Sequence, residues 1–163
     1  MRDEMKESAA DAATAATALA RAKAAAVAKR HPGALVIGAD QILDSGGHWF
    51  EKPRNRADAL VTLQALRGRT HQLVTAVAVS RDNRHAWENV AVAKLTMRKF
   101  SDEFAARYLD TAGPRALESV GAYRLEAEGA QLFASIDGDY FAILGLPLLP
   151  LLGYLREARV LER

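Results

Sequence analysis

The sequence has 163 residues, and its 22 lysines and arginines against 20 aspartates and glutamates leave a net charge of +2. This length suits one ordinary domain, and an apolar content of 50% excludes an intrinsically disordered chain. The nearly balanced charge argues against a nucleic-acid polymer or a membrane surface as a partner. The absence of cysteine excludes disulfides and thiol chemistry. The charged residues 1–8 do not resemble a signal peptide, and we expect a cytoplasmic protein.

The first predicted elements are a helix and a strand. Residues 9–28 are rich in alanine and predict a surface helix whose small side chains pack closely against a sheet. The apolar run 34–37 predicts a strand that is buried on both faces and stops at Gly38. Asp40 would then lie at the carboxyl end of that strand.

The rest of the chain alternates between predicted helices and strands. Glycine, proline and helix-capping residues mark the boundaries between them. In chain order they are a turn at Gly46-Gly47, a helix over 55–66, an antiparallel pair of strands over 72–80 and 89–97, a helix from Ser101 to Gly113, a strand over 132–136 and a helix from Pro147. Together they predict a single α/β domain over residues 1–163, with a mixed, twisted central sheet flanked by helices.

Asp40 is the strongest candidate for a functional side chain. Ligands of open α/β sheets bind at the carboxyl ends of strands, where Asp40 is expected; a carboxylate that merely caps a turn is the alternative. Lys52 lies between Glu51 and Pro53 and could meet an anionic group, although a solvated loop lysine is the commoner case. The four histidines lack the spacing of metal ligands, which predicts turn or surface positions for His31, His48, His71 and His85.

Five motifs, taken together and in order, resemble the Maf family of nucleotide pyrophosphatases. They are GADQIL at 38–43, EKP at 51–53, VGAYRLE at 120–126, DGDY at 137–140 and GLPLLPLL at 145–152. The resemblance extends over essentially the whole chain, since Asp3-Glu4 and the segment 19–24 also resemble the start of that family. No single piece is specific, but the combination is.

The resemblance implies a hydrolase that cleaves a nucleoside triphosphate between its α- and β-phosphates, in a house-cleaning role. It implies Asp40 as the catalytic residue and Lys23 and Lys52 as phosphate partners. Carboxylates are the ligands that Mg²⁺ or Mn²⁺ prefers, so Glu4 and Asp40 are the implied metal ligands. How Glu4 and Asp40 divide the roles of base and ligand stays open.

Two positions carry the substrate preference that the resemblance implies. Gln41 and Glu126 match the subgroup that acts on 7-methyl-GTP, whereas the subgroup for thymidine and uridine triphosphates has Thr and Gln there. A carboxylate can accept hydrogen bonds from the N1–H and N2–H₂ edge of guanine, and the methylated ring is cationic. The alternative is that Glu126 lies on a solvated strand edge.

The sequence also departs from the family pattern. Members begin with a strand and a Ser-x-Ser-x-Arg-Arg loop that binds the triphosphate, and no such segment precedes the first helix here. The expected fold is therefore N-terminally truncated, and a catalytically impaired nucleotide-binding or regulatory remnant, of the septum-formation inhibitor type, is the alternative function. A homodimer is a further expectation, because the family often forms dimers.

Overall fold

A computed structural model describes residues 9–82 and 84–162. The helices and strands alternate along this part of the chain. They are α1 (Ala12–Ala28), β1 (Leu35–Ser45), β2 (His48–Phe50), α2 (Arg56–Leu66), β3 (Thr70–Arg81), β4 (Arg84–Met97), α3 (Asp102–Ala112), two 3₁₀ helices (Gly113–Glu118 and Glu128–Leu132), β5 (Phe133–Asp137), α4 (Tyr140–Ile143) and α5 (Leu148–Glu157). None of the described helices combines the length and the apolar composition needed to cross a membrane.

The five strands form one antiparallel sheet in the order β2-β1-β3-β4-β5. Helices flank it, so the α/β class expected from the sequence is confirmed. The mixed sheet is refined to an antiparallel one, because tight turns join β1 to β2 and β3 to β4, and such short connections link antiparallel neighbours. The chain divides into two compact units, and each is described by itself. The first unit holds residues up to 41, 74–92 and from 139 onward; the second holds 42–73 and 93–138.

Strand β1 is longer than the sequence predicted. It continues through Gly38 to Ser45, so Asp40 lies in the middle of the strand and not at its carboxyl end. Burial alternates, with Gly38 and Asp40 buried, while Ile37 is 43% exposed. The expectation of burial on both faces was therefore wrong for the run 34–37, because residues 34–36 are only half-buried and Ile37 is exposed.

The strand that is buried on both faces is β3. Every residue from Leu73 to Ser80 is buried. This strand lies between β1 and β4 at the centre of the sheet. Its apolar run is interrupted by Thr75, a buried hydroxyl that must find hydrogen-bond partners.

Helix α1 packs closely on β1 in the first unit, as its small side chains predicted. Its buried side is made almost wholly of alanine. A Cβ atom at Gly38 would overlap the carbonyl oxygen of Ala20 and the amide nitrogen of Ala24. Gly38 therefore allows the backbones of helix and strand to approach each other. The glycine that the sequence suggested as the end of the strand is the point of contact with the helix.

Helices α2 and α3 of the second unit begin at the residues that the sequence indicated. The Asn55 side chain accepts a hydrogen bond from the amide of Asp58, and the Ser101 side chain accepts one from the amide of Phe104. Each bond satisfies an amide that lacks a partner in the first helical turn. Pro147, the predicted first helical residue, is the N-cap of α5, which begins one position later at Leu148.

Candidate active site

A buried ion pair between Lys23 and Asp40 forms the centre of the candidate site in the first unit. The Lys23 ammonium donates a hydrogen bond of 2.5 Å to Oδ1 of Asp40 and one of 2.9 Å to the carbonyl oxygen of Ala39. The Asp40 side chain is only 3% exposed, whereas the Lys23 side chain is 52% exposed. The pair thus joins a fixed carboxylate to a cation that can still reach solvent. Two residues that the sequence separates by a helix end and a loop are in direct contact.

The second carboxylate oxygen of Asp40 has no hydrogen-bond partner among the described residues. Oδ2 is fully buried, in contrast to the paired Oδ1. A buried carboxylate oxygen without a donor is unfavourable, and in proteins such an atom usually accepts from water, a ligand or a metal ion. Asp40 therefore has one oxygen fixed by Lys23 and one available for chemistry.

Gln41 uses its amide nitrogen within the protein. Nε2 donates to Oγ1 of Thr75 at 2.8 Å and to the carbonyl oxygens of Ala142 and Ile143 at 3.0 and 3.1 Å. The Thr75 hydroxyl donates to the Ala142 carbonyl at 3.0 Å, so its oxygen accepts from Gln41. This pattern fixes the orientation of the amide, because a rotated amide would place its oxygen against two carbonyls. What Gln41 can offer a ligand is its oxygen, an acceptor.

This link between Gln41 and α4 was missed by the sequence analysis. The short helix α4 was not predicted, since four residues carry almost no periodic pattern. Its N-cap, Asp139, accepts a hydrogen bond of 2.7 Å from the Ala142 amide. The available signal was Thr75, a lone polar residue in the apolar run of β3, whose buried hydroxyl required a partner from another part of the chain.

Lys52 and Glu126, the other described candidates, lie in the second unit. Lys52 is exposed on the loop that precedes α2, and Pro53 beside it is buried. Glu126 lies on a turn, not on a strand edge. Its Oε1 accepts a hydrogen bond of 2.8 Å from Nε of Arg124, a residue that the sequence analysis did not consider. The Glu126 carboxylate is therefore held in an ion pair.

The backbone around Arg124 is fixed from several sides. The Tyr108 hydroxyl donates to the Ala122 carbonyl at 3.2 Å. The Arg124 carbonyl accepts from the amide of Ala127 at 3.2 Å. A side chain at Gly129 would overlap the Arg124 backbone. Burial raises the pKa of Tyr108 to about 12, so its hydroxyl stays protonated and remains a donor. The segment that carries Glu126 is thus an ordered turn.

His71 corrects another expectation. It is 1% exposed and lies on β3, whereas the sequence predicted a turn or surface position. Nε2 lies 2.8 Å from the Tyr123 hydroxyl, while Nδ1 is buried without a partner in the described chain. Burial lowers the pKa of His71 to about 4, because it disfavours the imidazolium. Burial likewise raises the pKa of Tyr123. His71 is a neutral core residue at physiological pH.

The described residues supply at most part of a binding site for a divalent metal ion. Glu4, one of the two expected metal ligands, lies outside the described residues. Within the described ranges, no group of three or more His, Cys, Asp or Glu side chains is placed to hold a metal ion. The unpartnered Oδ2 of Asp40 is a suitable single ligand. This fits Mg²⁺, which is commonly bound by one or two carboxylates together with water and substrate phosphates.

Comparison with known proteins identifies relatives over almost the whole chain. The family model described as Maf-like protein matches residues 1–158. A nucleoside triphosphate pyrophosphatase of Paramagnetospirillum magneticum is 52% identical over 139 residues, which cover 85% of this chain and 72% of that protein. A 7-methyl-GTP pyrophosphatase of Rhizobium etli is 51% identical over 149 residues, 91% of this chain and 75% of the relative. A nucleoside triphosphate pyrophosphatase of Nitrobacter winogradskyi is 54% identical over 147 residues, 90% and 73% of the two chains.

Proposed function

This chain belongs to the Maf family, and on that premise we propose that it hydrolyses nucleoside triphosphates to the monophosphate and pyrophosphate, with Asp40 as the catalytic base. Relatives that are about half identical to it bear the names of such pyrophosphatases. The activity is that of a hydrolase in a house-cleaning role. The observation that carries the proposal is the buried Asp40 carboxylate, which has one oxygen held by Lys23 and the other without a partner among residues 9–82 and 84–162.

The proposed chemistry assigns one step to each group of this pair. Oδ2 of Asp40 accepts a proton from a water molecule while the water oxygen forms a bond to phosphorus. The bond between the α-phosphorus and the oxygen that bridges it to the β-phosphate breaks, and pyrophosphate leaves with that oxygen and the electron pair. Negative charge grows on the phosphate oxygens during this step. The half-exposed Lys23 ammonium can neutralise such charge, and the exposed Lys52 is proposed as a second phosphate partner.

A divalent metal, Mg²⁺ or Mn²⁺, is part of the proposal. Asp40 would be its ligand in the described chain, and Glu4 remains a candidate on sequence grounds alone. When bound, the ion would neutralise phosphate charge and acidify a coordinated water. Removal of divalent ions with EDTA should abolish pyrophosphate release, and added Mg²⁺ should restore it.

The proposed substrate preference is for 7-methyl-GTP. Gln41 presents an oxygen acceptor because its amide nitrogen is bound to Thr75 and α4. Glu126 carries a second acceptor, the carboxylate paired with Arg124. The guanine edge offers N1–H and N2–H₂ donors, whereas the uracil and thymine rings offer a single N–H. Each acceptor would suit a donor of the guanine edge, and a carboxylate also favours the cationic methylated ring.

The decisive experiment measures pyrophosphate release from 7-methyl-GTP, GTP, UTP and dTTP in the presence of Mg²⁺. We expect the highest kcat/KM with 7-methyl-GTP. Asp40→Asn should lower kcat by about 10²–10⁴-fold, the usual contribution of a positioned base. Asp44→Asn on the same strand is the matched control and should retain activity, since asparagine keeps an oxygen for the Gly47 amide. Release that is unchanged in Asp40→Asn would refute the proposal, and nucleotide binding without any release would favour a non-catalytic remnant.

A further inference from the structure

We propose that Arg124 sets how strongly Glu126 distinguishes a cationic base from a neutral one. This inference rests on the proposed function, in which Glu126 contacts the nucleobase. Nε of Arg124 lies 2.8 Å from Oε1 of Glu126, and both side chains are 31% exposed. A positive charge thus lies directly beside the carboxylate that would receive the base. The recognition group is a paired carboxylate and not an isolated anion.

The geometry keeps the pair together without burying it. The backbone carbonyl of Arg124 accepts a hydrogen bond from the amide of Ala127, and Gly129 packs against the Arg124 backbone. The two charged residues are separated by one position on this fixed turn, so little conformational freedom is lost when they pair. Within the described part of the chain, the hydrogen bond of Glu126 with Arg124 uses Oε1, so Oε2 can accept a hydrogen bond from a ligand.

The neighbouring guanidinium changes which property of the base the carboxylate can distinguish. Hydrogen-bond acceptance by Oε2 depends on its position and survives the pairing. Attraction for a positive ring depends on net charge, which the guanidinium largely cancels. Guanine and 7-methylguanine share the N1–H and N2–H₂ edge and differ in charge at mildly acidic pH. Arg124 therefore leaves recognition of the guanine edge intact and weakens the preference for the methylated base.

The test is the ratio of the dissociation constants of GMP and 7-methyl-GMP, measured by titration calorimetry at mildly acidic pH and low salt. Arg124→Gln keeps a hydrogen-bond donor for Glu126 but removes the charge. The dissociation constant of GMP divided by that of 7-methyl-GMP should therefore rise by about two- to fivefold. Arg124→Lys keeps the charge and should match the unmodified protein. The shift in Arg124→Gln should shrink at high salt, because salt screens exposed charges. Arg124→Met is a second neutral variant in case Arg124→Gln does not fold.

Arg67→Gln is the matched control. Arg67 forms an ion pair of 2.7 Å with Asp102 and is 32% exposed, so the variant removes the same charge from a similar pair. Its ratio should equal that of the unmodified protein. An unchanged ratio in Arg124→Gln, while Glu126→Gln lowers the preference for 7-methyl-GMP, would overturn the role of Arg124 alone. An unchanged ratio in Glu126→Gln would overturn both this role and the proposed base contact. Binding of monophosphates does not require hydrolysis, so failure of catalysis is measured separately.

Discussion

The Lys23 ammonium lies 2.5 Å from Oδ1 of Asp40 and so connects helix α1 to a buried carboxylate on strand β1. Its second bond, to the Ala39 carbonyl, fixes the same ammonium to the strand backbone. The alanine-rich helix positions Lys23 for this pair, because its small side chains let it approach the strand closely. Packing of the smallest side chains thus determines the electrostatics of the candidate catalytic group.

Replacement of Lys23 tests the contribution of the cation. We expect Lys23→Met to lower kcat/KM by about 10- to 100-fold, the range for loss of a hydrogen bond between charged groups. Lys23→Arg should recover part of the activity. Lys29→Met, which removes an exposed charge one residue beyond the same helix, is the control and should behave like the unmodified protein.

Gly38→Ala tests the close approach of helix and strand. The added methyl group would overlap backbone atoms of Ala20 and Ala24, which cannot rotate away. We expect a loss of about 1–3 kcal/mol in the free energy of unfolding, measured in urea. Activity should fall further than the folded fraction does, because Lys23 moves with the helix. Gly153→Ala on α5 meets no atom within 4 Å and should be neutral or stabilising; equal losses in both variants would contradict this explanation.

Gln41→Glu and Gln41→Met test the network beneath α4. Gln41→Met removes the donor to Thr75 and to two carbonyls, and we expect it to cost about 1–3 kcal/mol of stability. Gln41→Glu places an anionic oxygen against those carbonyls and should be less stable than Gln41→Met at pH 7. Protonation of the new carboxyl supplies a donor, so the difference between the two variants should narrow as the pH falls. A difference in stability between the two variants that stays constant with pH would argue against this network. Gln131→Glu, which changes an exposed side chain, is the control.

His71 makes the stability depend on pH. Burial lowers its pKa to about 4 from a usual value of 6.5, so between these values the unfolded chain binds the proton more readily than the folded protein does. The contribution of His71 to stability is therefore complete above about pH 6.5 and decreases as the pH falls toward 4, by about 3 kcal/mol in total. Urea unfolding across this window should show the loss. His71→Gln should flatten the curve, while His48→Gln, on an exposed histidine, should leave its slope unchanged.

Some features of this protein were determined by local sequence. Asn55 and Ser101 predicted their helix starts because an N-cap side chain bonds to an amide only three residues away. The antiparallel pair of β3 and β4 was also predicted, because a short polar segment separates two runs rich in strand-forming residues. The order of short motifs was sufficient to indicate the family, and the family match confirmed it.

Tertiary structure decided what these residues do to one another. The local pattern predicted that β1 ends at Gly38, yet the strand continues to Ser45. Gly38 instead allows close contact with a helix more than ten residues earlier in the chain. Likewise, His71 is buried, and Gln41 binds α4 about 100 residues later, through contacts that carry no local signal. The contact between Asp40 and its charge partner Lys23 also followed from folding. Sequence determines conformation through near neighbours, whereas burial and charge pairing depend on residues that only the folded chain brings together.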